Sequence, residues 1–353
     1  MSIEGELLVR LDWDGTRVGQ VHIRSTRRAA IARLVCGRTP DEALAWLPRI
    51  YTLCAAAQAT AARFALTHAG AQVGDATAKT RDDVEREIID EYLFRLLIDW
   101  PDAAGKAFDA SLVAEARRLP RASLSRFAAD HVYGEPPSQW LSRRDLGDLE
   151  AWTAHGTTLP ARLLGAMLRE TPWLGRSDVM LMPEPTPAAI EQHVLAAMAH
   201  NPGYGKAPTW DGVPAETGAL SRVQSHPLVA AVIARDANTA AARMVARLAE
   251  LALLLEAREP ARIDGFATAD GAGVGAVQTA RGLLLHRARV ADGHIAGYDI
   301  VAPTEWNFHP QGALQQGLRG LVARDAHEAE RRAIVAVQAL DPCVACAVEV
   351  ARA

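Results

Sequence analysis

Cysteine is scarce in this sequence, and its scarcity excludes one class of protein at the outset. Only Cys36, Cys54, Cys343 and Cys346 occur among 353 residues. Small secreted domains that are held together by disulfides use more cysteines at closer spacings. Four unevenly placed cysteines therefore predict a protein of a reducing compartment, whose thiols are available for other chemistry.

The sequence also lacks an excess of charge of one sign and a long apolar run. Its 38 Lys and Arg stand against 42 Asp and Glu, and the net charge of -4 favours neither a nucleic-acid partner nor another polyanion. Apolar stretches such as 248–255 are shorter than the roughly 20 residues of a membrane span. The N-terminus alternates apolar and charged residues, unlike a secretion signal. We therefore expect a cytoplasmic protein with no membrane association.

What the sequence does contain is enough apolar material for a large core, since 49% of its residues are hydrophobic. Alternating apolar residues around Asp14-Gly15 and around Asp292-Gly293 predict a β-hairpin near each end of the chain. Helical spacing begins at Pro40, and an alanine-rich segment runs through Cys54 to about Ala69, which predicts that Cys54 lies on or just before a helix. Further helices are predicted at 81–97, 107–118, 120–130, 160–169, 187–199, 227–256 and 326–339. The charged run 81–91 is typical of a solvated helix face. We predict one α+β domain, residues 1–353, with a mainly helical core.

The most specific local motif is the pair of cysteines at 343 and 346, separated by two residues. Two such thiolates can converge on one soft metal ion. A zinc ribbon needs a second pair or two histidines, and the remaining cysteines fit no zinc spacing. A redox pair is typical of a helix start within an α/β fold, whereas this pair lies next to Ala353 at the chain end. The motif alone leaves its function open.

Six segments, in order along the chain, resemble the large subunit of [NiFe]-hydrogenases. The ending DPCVAC at 341–346 resembles that family's C-terminal DPCxxCxxH motif. The other five segments resemble the family's RIEGH, RxCGxC, KAPRYDGxPxExGPLAR, EAPRG and PTTWN motifs, and they are IEG at 3–5, RIYTLC at 49–54, KAPTWDG at 206–212, GAVQTARG at 275–282 and PTEWN at 303–307. The resemblance implies a large-subunit-like fold, a helical bundle with small β-hairpins near both termini.

In the family, four cysteines hold nickel and iron, and this sequence matches three of those positions. Cys54 and Cys346 match the two cysteines that bridge to iron, and Cys343 matches a terminal nickel ligand. Tyr51 occupies the other terminal nickel position, and a phenol is a poor replacement for a soft thiolate. The resemblance thus implies metal-binding residues at Cys54, Cys343 and Cys346, with iron held by Cys54 and Cys346 and Cys343 on the nickel side, and no complete nickel site.

Two further departures accompany the loss of the nickel ligand. Gln58 and Glu349 stand where the family has histidines beside its cysteines. Retained iron ligands with missing nickel ligands resemble the HupK/HoxV group of hydrogenase maturation proteins. That resemblance implies a scaffold without catalytic activity, which holds iron as an Fe(CN)2(CO) unit, takes no nickel and passes the iron to the hydrogenase large subunit. The implied partners are that subunit and iron-delivering chaperones of the HypC/HypD type.

The resemblance also implies which residues surround the diatomic ligands of the iron. Arg281, Pro303 and Thr304 match family positions at these ligands, where a guanidinium and a hydroxyl can donate hydrogen bonds to cyanide nitrogens. Glu4 matches a proton-relay glutamate. A plainer explanation exists for each: Arg281 as a surface charge, Thr304 as the cap of a turn, and Glu4 as a partner within a strand.

Two other functions remain open from the sequence alone. The first is a divergent hydrogenase large subunit with residual activity, against which Tyr51 argues. The second is a metal-free homologue similar to the quinone-side subunit of complex I, against which the three matched cysteines argue. Cys36 matches no ligand position of the family and is predicted to be a small buried hydrophobe.

Overall fold

The structure is a computed structural model, in which residues 5–26, 33–74, 77–258 and 261–352 are described. Nine strands occur in the described residues. They are β1 (Glu6–Trp13), β2 (Val18–Ser25), β3 (Met180–Leu181), β4 (Ala215–Glu216), β5 (Ile263–Ala267), β6 (Gly273–Thr279), β7 (Gly282–Ala291), β8 (His294–Val301) and β9 (Ala345–Arg352). They form three sheets, with orders β2-β1-β9, β3-β4 and β5-β6-β7-β8.

Helices make up most of the remaining described chain. They are α1 (Pro40–Ile50), α2 (Ala55–His68), α3 (Thr77–Phe94), α4 (Trp100–Ala103), α5 (Ala110–Arg118), α6 (Arg121–Ala128), α7 (Pro137–Trp140), α8 (Leu146–His155), α9 (Leu159–Glu170), α10 (Pro187–Ile190), α11 (Ala196–His200), α12 (Ala219–Arg222), α13 (Pro227–Asp236), α14 (Ala240–Leu255), α15 (Pro303–Asn307), α16 (Ala313–Leu318) and α17 (Ala326–Leu340). In the described part of the chain, no helix has both the length and the apolar content to span a membrane.

The two ends of the described chain meet in one sheet. The predicted N-terminal hairpin is present as β1 and β2, whose strands are antiparallel. Strand β9 was not predicted, and it pairs in parallel with β1 so that Cys346 lies opposite Leu7. Leu7 and alternate residues of β1 are buried, which is the pattern of a sheet with one face on the core. This sheet fixes the chain that follows Cys343.

The second predicted hairpin is present as β7 and β8, but it belongs to a four-stranded antiparallel sheet. Helix α2 packs closely against β6, every residue of which is buried. A Cβ atom at Gly273 or Gly275 would overlap the backbone of Ala65 or Ala61, so the close approach of α2 requires glycine at these positions. The N-terminus of α2, which begins after Cys54, is held in place by this packing.

The structure corrects one predicted helix. The segment 227–256 forms two helices, because the chain turns at Ala237, whose φ is 61°, and Thr239 caps α14 by accepting a hydrogen bond from the Ala242 N–H. The segment 40–69 forms α1 and α2, separated by Tyr51 and the short helix Thr52–Cys54, so Cys54 lies just before a helix as predicted. Helix α14 is buried along most of its length and lies at the centre of the core.

Candidate functional site

Cys54 lies at the N-terminal end of α2, where it is the residue preceding the first helical turn. Its side chain is half-buried and packs against the core. Burial raises the pKa of its thiol to about 12, and the nearby sulfur of Cys343 and carboxylate of Glu87 act in the same direction. The guanidinium of Arg281 and a hydrogen bond from Gln58 act in the opposite direction. Cys54 therefore lies within electrostatic reach of both Cys343 and Arg281.

The N-terminus of α2 beside Cys54 is occupied by a carboxylate from another helix. Glu87, on α3, accepts hydrogen bonds from the backbone N–H groups of Ala56 at 2.7 Å and Ala57 at 3.2 Å. Burial raises the pKa of Glu87 to about 7. The prediction that 81–91 is a solvated face is therefore wrong for its C-terminal half, because Glu87 and Glu91 turn towards the interior.

A chain of three buried polar groups leads away from Cys54. The Gln58 Nε2 donates to the Cys54 Sγ at 3.6 Å, and the Gln58 Oε1 lies 2.9 Å from the His286 Nε2. The His286 Nδ1 lies 2.7 Å from the Tyr298 hydroxyl. Burial lowers the pKa of His286 to about 3, so the imidazole is neutral. Gln58, which stands where the hydrogenase family has a histidine beside a cysteine, thus donates a hydrogen bond to Cys54.

Tyr51 is buried at the end of α1, three residues before Cys54. Burial raises the pKa of Tyr298 well above its usual value, and the hydroxyl of Tyr51 raises it further, so the two phenols are close. Tyr51 also lines a cleft of about 370 Å³, to which Arg24 and Lys206 contribute. The tyrosine therefore contacts both this cleft and the side chains that lead to Cys54.

Cys343 is buried and contacts the first turn of α15. The Thr304 Oγ1 lies 2.7 Å from the Cys343 Sγ and accepts a hydrogen bond from the Cys343 N–H at 3.0 Å. Pro303, which precedes Thr304 and is the first residue of α15, is also buried. Thr304 thus holds both the backbone and the sulfur of Cys343, which is more than the capping of a turn.

Arg281 lies in the turn between β6 and β7 and is fully buried, so it is not a surface charge. Its Nε donates to the Asp341 Oδ1 at 3.1 Å, and its Nη2 donates to Glu91. Burial alone would lower the pKa of Arg281, but Asp341, Glu91 and the sulfurs of Cys343 and Cys54 raise it overall. The Nη1 has no hydrogen-bond partner among the described residues, which leaves one donor nitrogen for a ligand.

Asp341 is the point at which several charges meet. Besides Arg281, it contacts the Arg95 Nε at 2.8 Å and the Arg247 Nη2 at 3.8 Å. Burial would raise the pKa of Asp341, yet the three guanidiniums together lower it. Arg95 also pairs with Glu91 at 3.1 Å. The segment from Asp341 to Cys343 is thereby anchored by buried ion pairs.

Cys346 lies in β9, half-buried, and burial raises the pKa of its thiol to about 12. Along this strand Cys346, Val348 and Val350 are half-buried, whereas Glu349 is exposed. Glu349 therefore points away from the face that carries Cys346. Across the described residues, no three His, Cys, Asp or Glu side chains are arranged to hold a metal ion.

The structure thus brings Cys54, Cys343, Arg281 and Thr304 together. It places Cys346 on the adjoining strand, and Cys36 is half-buried in a satellite cluster of the core that also includes Tyr51. Glu4 lies outside the described residues. Sequence patterns did not indicate five residues of this site, which are Glu87, Glu91, His286, Tyr298 and Asp341. Of these, only Asp341 belongs to a recognisable motif, at 341–346.

Sequence comparison relates this chain to hydrogenase expression/formation proteins. The hydrogenase expression/formation protein HupV of Azotobacter chroococcum is 32% identical over 335 residues, with 92% of each chain covered. The hydrogenase expression/formation protein HupK of Rhizobium leguminosarum is 30% identical over 94% of this chain and 93% of its own. The chain belongs to this family. The protein HoxV of Cupriavidus necator, with the same description, is 28% identical over 95% of this chain.

The wider relationship is to hydrogenases themselves. The family model for nickel-dependent hydrogenase matches residues 227–349. The Ni-Fe-Se hydrogenase of D. vulgaris Hildenborough in the reduced state superposes with a TM-score of 0.60 at 16% identity and 93% coverage of both chains. An NAD+-reducing [NiFe]-hydrogenase gives 0.56 at 18% identity and 94% coverage. The predicted hydrogenase-large-subunit fold is therefore confirmed.

Proposed function

We propose that this protein is a maturation factor without catalytic activity, which holds an Fe(CN)2(CO) unit and passes it to a hydrogenase large subunit. One observation carries the proposal: in a family member with a large-subunit fold, Tyr51 is buried three residues before Cys54, and the motif resemblance matches Tyr51 to the position of a nickel thiolate. A phenol at Tyr51 disfavours nickel, whereas the cysteines at the iron positions are retained. The names of the relatives support a role in hydrogenase formation.

The cysteines supply ligands for the iron cargo. Cys54 and Cys346 are the protein anchors, and Cys343 is an additional thiol whose sulfur lies within electrostatic reach of Cys54. Burial raises the thiol pKa of both anchors to about 12, so neither is ionised near neutral pH without a metal. Iron binding must displace these protons, because only the thiolate is a ligand. Loading and proton release are thus coupled.

Arg281 supplies the positive charge that an anionic cargo needs in a buried setting. Two thiolates and two cyanides outweigh the charge of one iron(II), and burying the resulting negative charge is unfavourable without a cation nearby. The Nε and Nη2 of Arg281 are held by Asp341 and Glu91, which fixes the plane of the guanidinium. Its Nη1 then donates to a cyanide nitrogen.

The test is to purify the protein from a host that matures hydrogenase, then measure its metals and its infrared spectrum. We expect iron without nickel, with cyanide and carbonyl stretches. Cys54→Ala and Cys346→Ala should abolish iron retention and hydrogenase maturation, while Cys343→Ala should retain part of the iron. Cys36→Ala is the matched control and should leave the iron unchanged. Stoichiometric nickel, or parental iron and infrared bands in Cys54→Ala, would contradict the proposal.

A further inference from the structure

Three polar side chains that no function above uses lie buried in a line that ends at Cys54. Gln58 is 1% exposed, His286 0% and Tyr298 3%. They come from three different elements, α2, β7 and β8. Buried polar groups stabilise a fold only when their hydrogen bonds are satisfied. Here the bonds run from one group to the next, towards the sulfur.

The orientation of the Gln58 amide sets the direction of this chain. The Gln58 Oε1 can only accept, so the His286 Nε2 that lies 2.9 Å away carries the proton and donates. A neutral imidazole has one N–H, so its Nδ1 accepts from the Tyr298 hydroxyl at 2.7 Å. With its oxygen bound to His286, the amide of Gln58 presents its NH2 group to the Cys54 Sγ at 3.6 Å.

We propose that Tyr298 and His286 are positioning residues, which hold the amide of Gln58 so that it donates a hydrogen bond to the thiolate of Cys54. The donor is neutral and does not titrate, so it faces the Cys54 sulfur whether or not that sulfur carries cargo. A hydrogen bond to a thiolate withdraws electron density from the sulfur and weakens its bond to iron. If the proposed function holds, on which this last step rests, this chain of hydrogen bonds through Gln58, His286 and Tyr298, here called the relay, favours the release of iron.

The same hydrogen bonds could serve only to stabilise the fold. The test therefore measures the reactivity of the Cys54 sulfur itself. Metal-free, reduced protein is treated briefly with iodoacetamide at one fixed, mildly alkaline pH, and the labelled peptides are quantified by mass spectrometry. Cys36 is measured in the same sample as the internal reference. Because thiolate is the reacting species, loss of the Gln58 donor in Gln58→Leu should slow labelling of Cys54 about tenfold.

Two further variants separate positioning from packing. Thr60→Val is the matched control, since Thr60 lies on the same helix, is 2% exposed and donates to the Ala56 carbonyl at 2.7 Å, but takes no part in the relay. It should leave the Cys54 rate unchanged. The Tyr298 hydroxyl is hydrogen-bonded to His286. Tyr298→Phe should slow Cys54 labelling about threefold, because the His286 tautomer is no longer fixed.

The double variant Gln58→Leu/Tyr298→Phe decides whether the residues act through one another. We expect it to react no more slowly than Gln58→Leu, since Tyr298 acts only through the amide. Multiplied effects in the double variant, or a parental Cys54 rate in Tyr298→Phe, would overturn the proposal. If Gln58→Leu fails to fold, the comparison of the Cys54 labelling rates of Tyr298→Phe and Thr60→Val tests the proposal without it. These measurements need no iron, so they stand even if the purified protein carries none.

Discussion

The two sides of the site fix their side chains by opposite means. Around Cys54, the partners Gln58, His286 and Tyr298 are neutral and form one directed chain of hydrogen bonds. Around Cys343, the anchors are charges, with Arg281 and Asp341 buried at the centre of a network of ion pairs. A chain of neutral hydrogen bonds orients its side chains without adding net charge. Buried charges also create an electrostatic field, and the stability of the fold then depends strongly on every partner of each charge.

This difference fits the proposed anionic metal cargo. One cation close to such a cargo would offset its charge, and a neutral donor at the Cys54 sulfur adds no further charge there. Burial keeps His286 neutral, with a pKa of about 3, although it lies two side chains away from the Cys54 sulfur. The neutral side can therefore orient its ligand without competing with Arg281.

The largest expected effect comes from removing the charge at the centre of the ionic side. Asp341→Asn keeps the shape but leaves Arg281, Arg95 and Arg247 without their common carboxylate. Uncompensated buried charge of this kind lowers the free energy of unfolding by about 3–5 kcal/mol. Urea unfolding of parent and variant measures the loss. Asp130→Asn, which breaks a solvent-exposed pair with Arg126, serves as control and should leave the urea midpoint close to that of the parent.

If Asp341→Asn and Asp130→Asn shifted the urea midpoint equally, the charges at Asp341 would contribute no more than a surface pair, and the contrast between the two sides would fail.

The fold was predictable from the sequence where one element forms one periodic pattern. Alternation found both hairpins, and helical spacing found most of the helices. Strand β6 was not recognisable because it is buried on both faces, so its sequence shows no alternation of apolar and polar residues. Strand β9 escaped because its partner β1 lies at the other end of the chain, and local patterns carry no information about such pairing. The break at Ala237 depends on a single residue with positive φ.

Within the site, only the residues that belong to one of the family motifs could be predicted from the sequence. Thr304 against Cys343, and Arg281 near both sulfurs, follow the motif positions. The groups that hold the site do not, because Glu91 is 190 residues from its partner Arg281 and His286 is 228 residues from its partner Gln58, and both pairs meet only through the fold. Glu91 was assigned to a solvated face on its charge alone. Buried ion pairs cannot be recognised from composition, since their partners are unknown before the fold is.

A second, smaller effect tests the neutral side through pH. The pKa of His286 is about 3 in the folded protein, against about 6.5 in the unfolded chain. Below pH 6.5 the unfolded chain therefore binds a proton that the folded protein does not, and stability falls as pH decreases from 6.5 towards 3. At pH 5 the loss is about 2 kcal/mol relative to pH 7. His286→Gln, neutral at every pH, should show a slope that is smaller by this amount.

Urea unfolding at pH 7 and pH 5 measures this slope, with His294→Gln as the control. His294 is exposed at the start of β8, and its replacement should leave the slope at the parental value. A slope in His286→Gln that matches the parent would mean that His286 is charged in the folded protein, and the neutral character of this side would be refuted.

The smallest expected effect concerns a neutral contact within the ionic side. Thr304→Val keeps the volume but removes the hydroxyl that accepts from the Cys343 N–H at 3.0 Å and contacts its sulfur at 2.7 Å. One lost neutral hydrogen bond lowers the free energy of unfolding by about 1 kcal/mol, and Thr304→Ser should recover most of it. Urea unfolding of both variants measures the difference. Since the surrounding ion pairs stay intact, a loss in Thr304→Val as large as that in Asp341→Asn would show that the hydroxyl, not the charges, determines the position of Cys343.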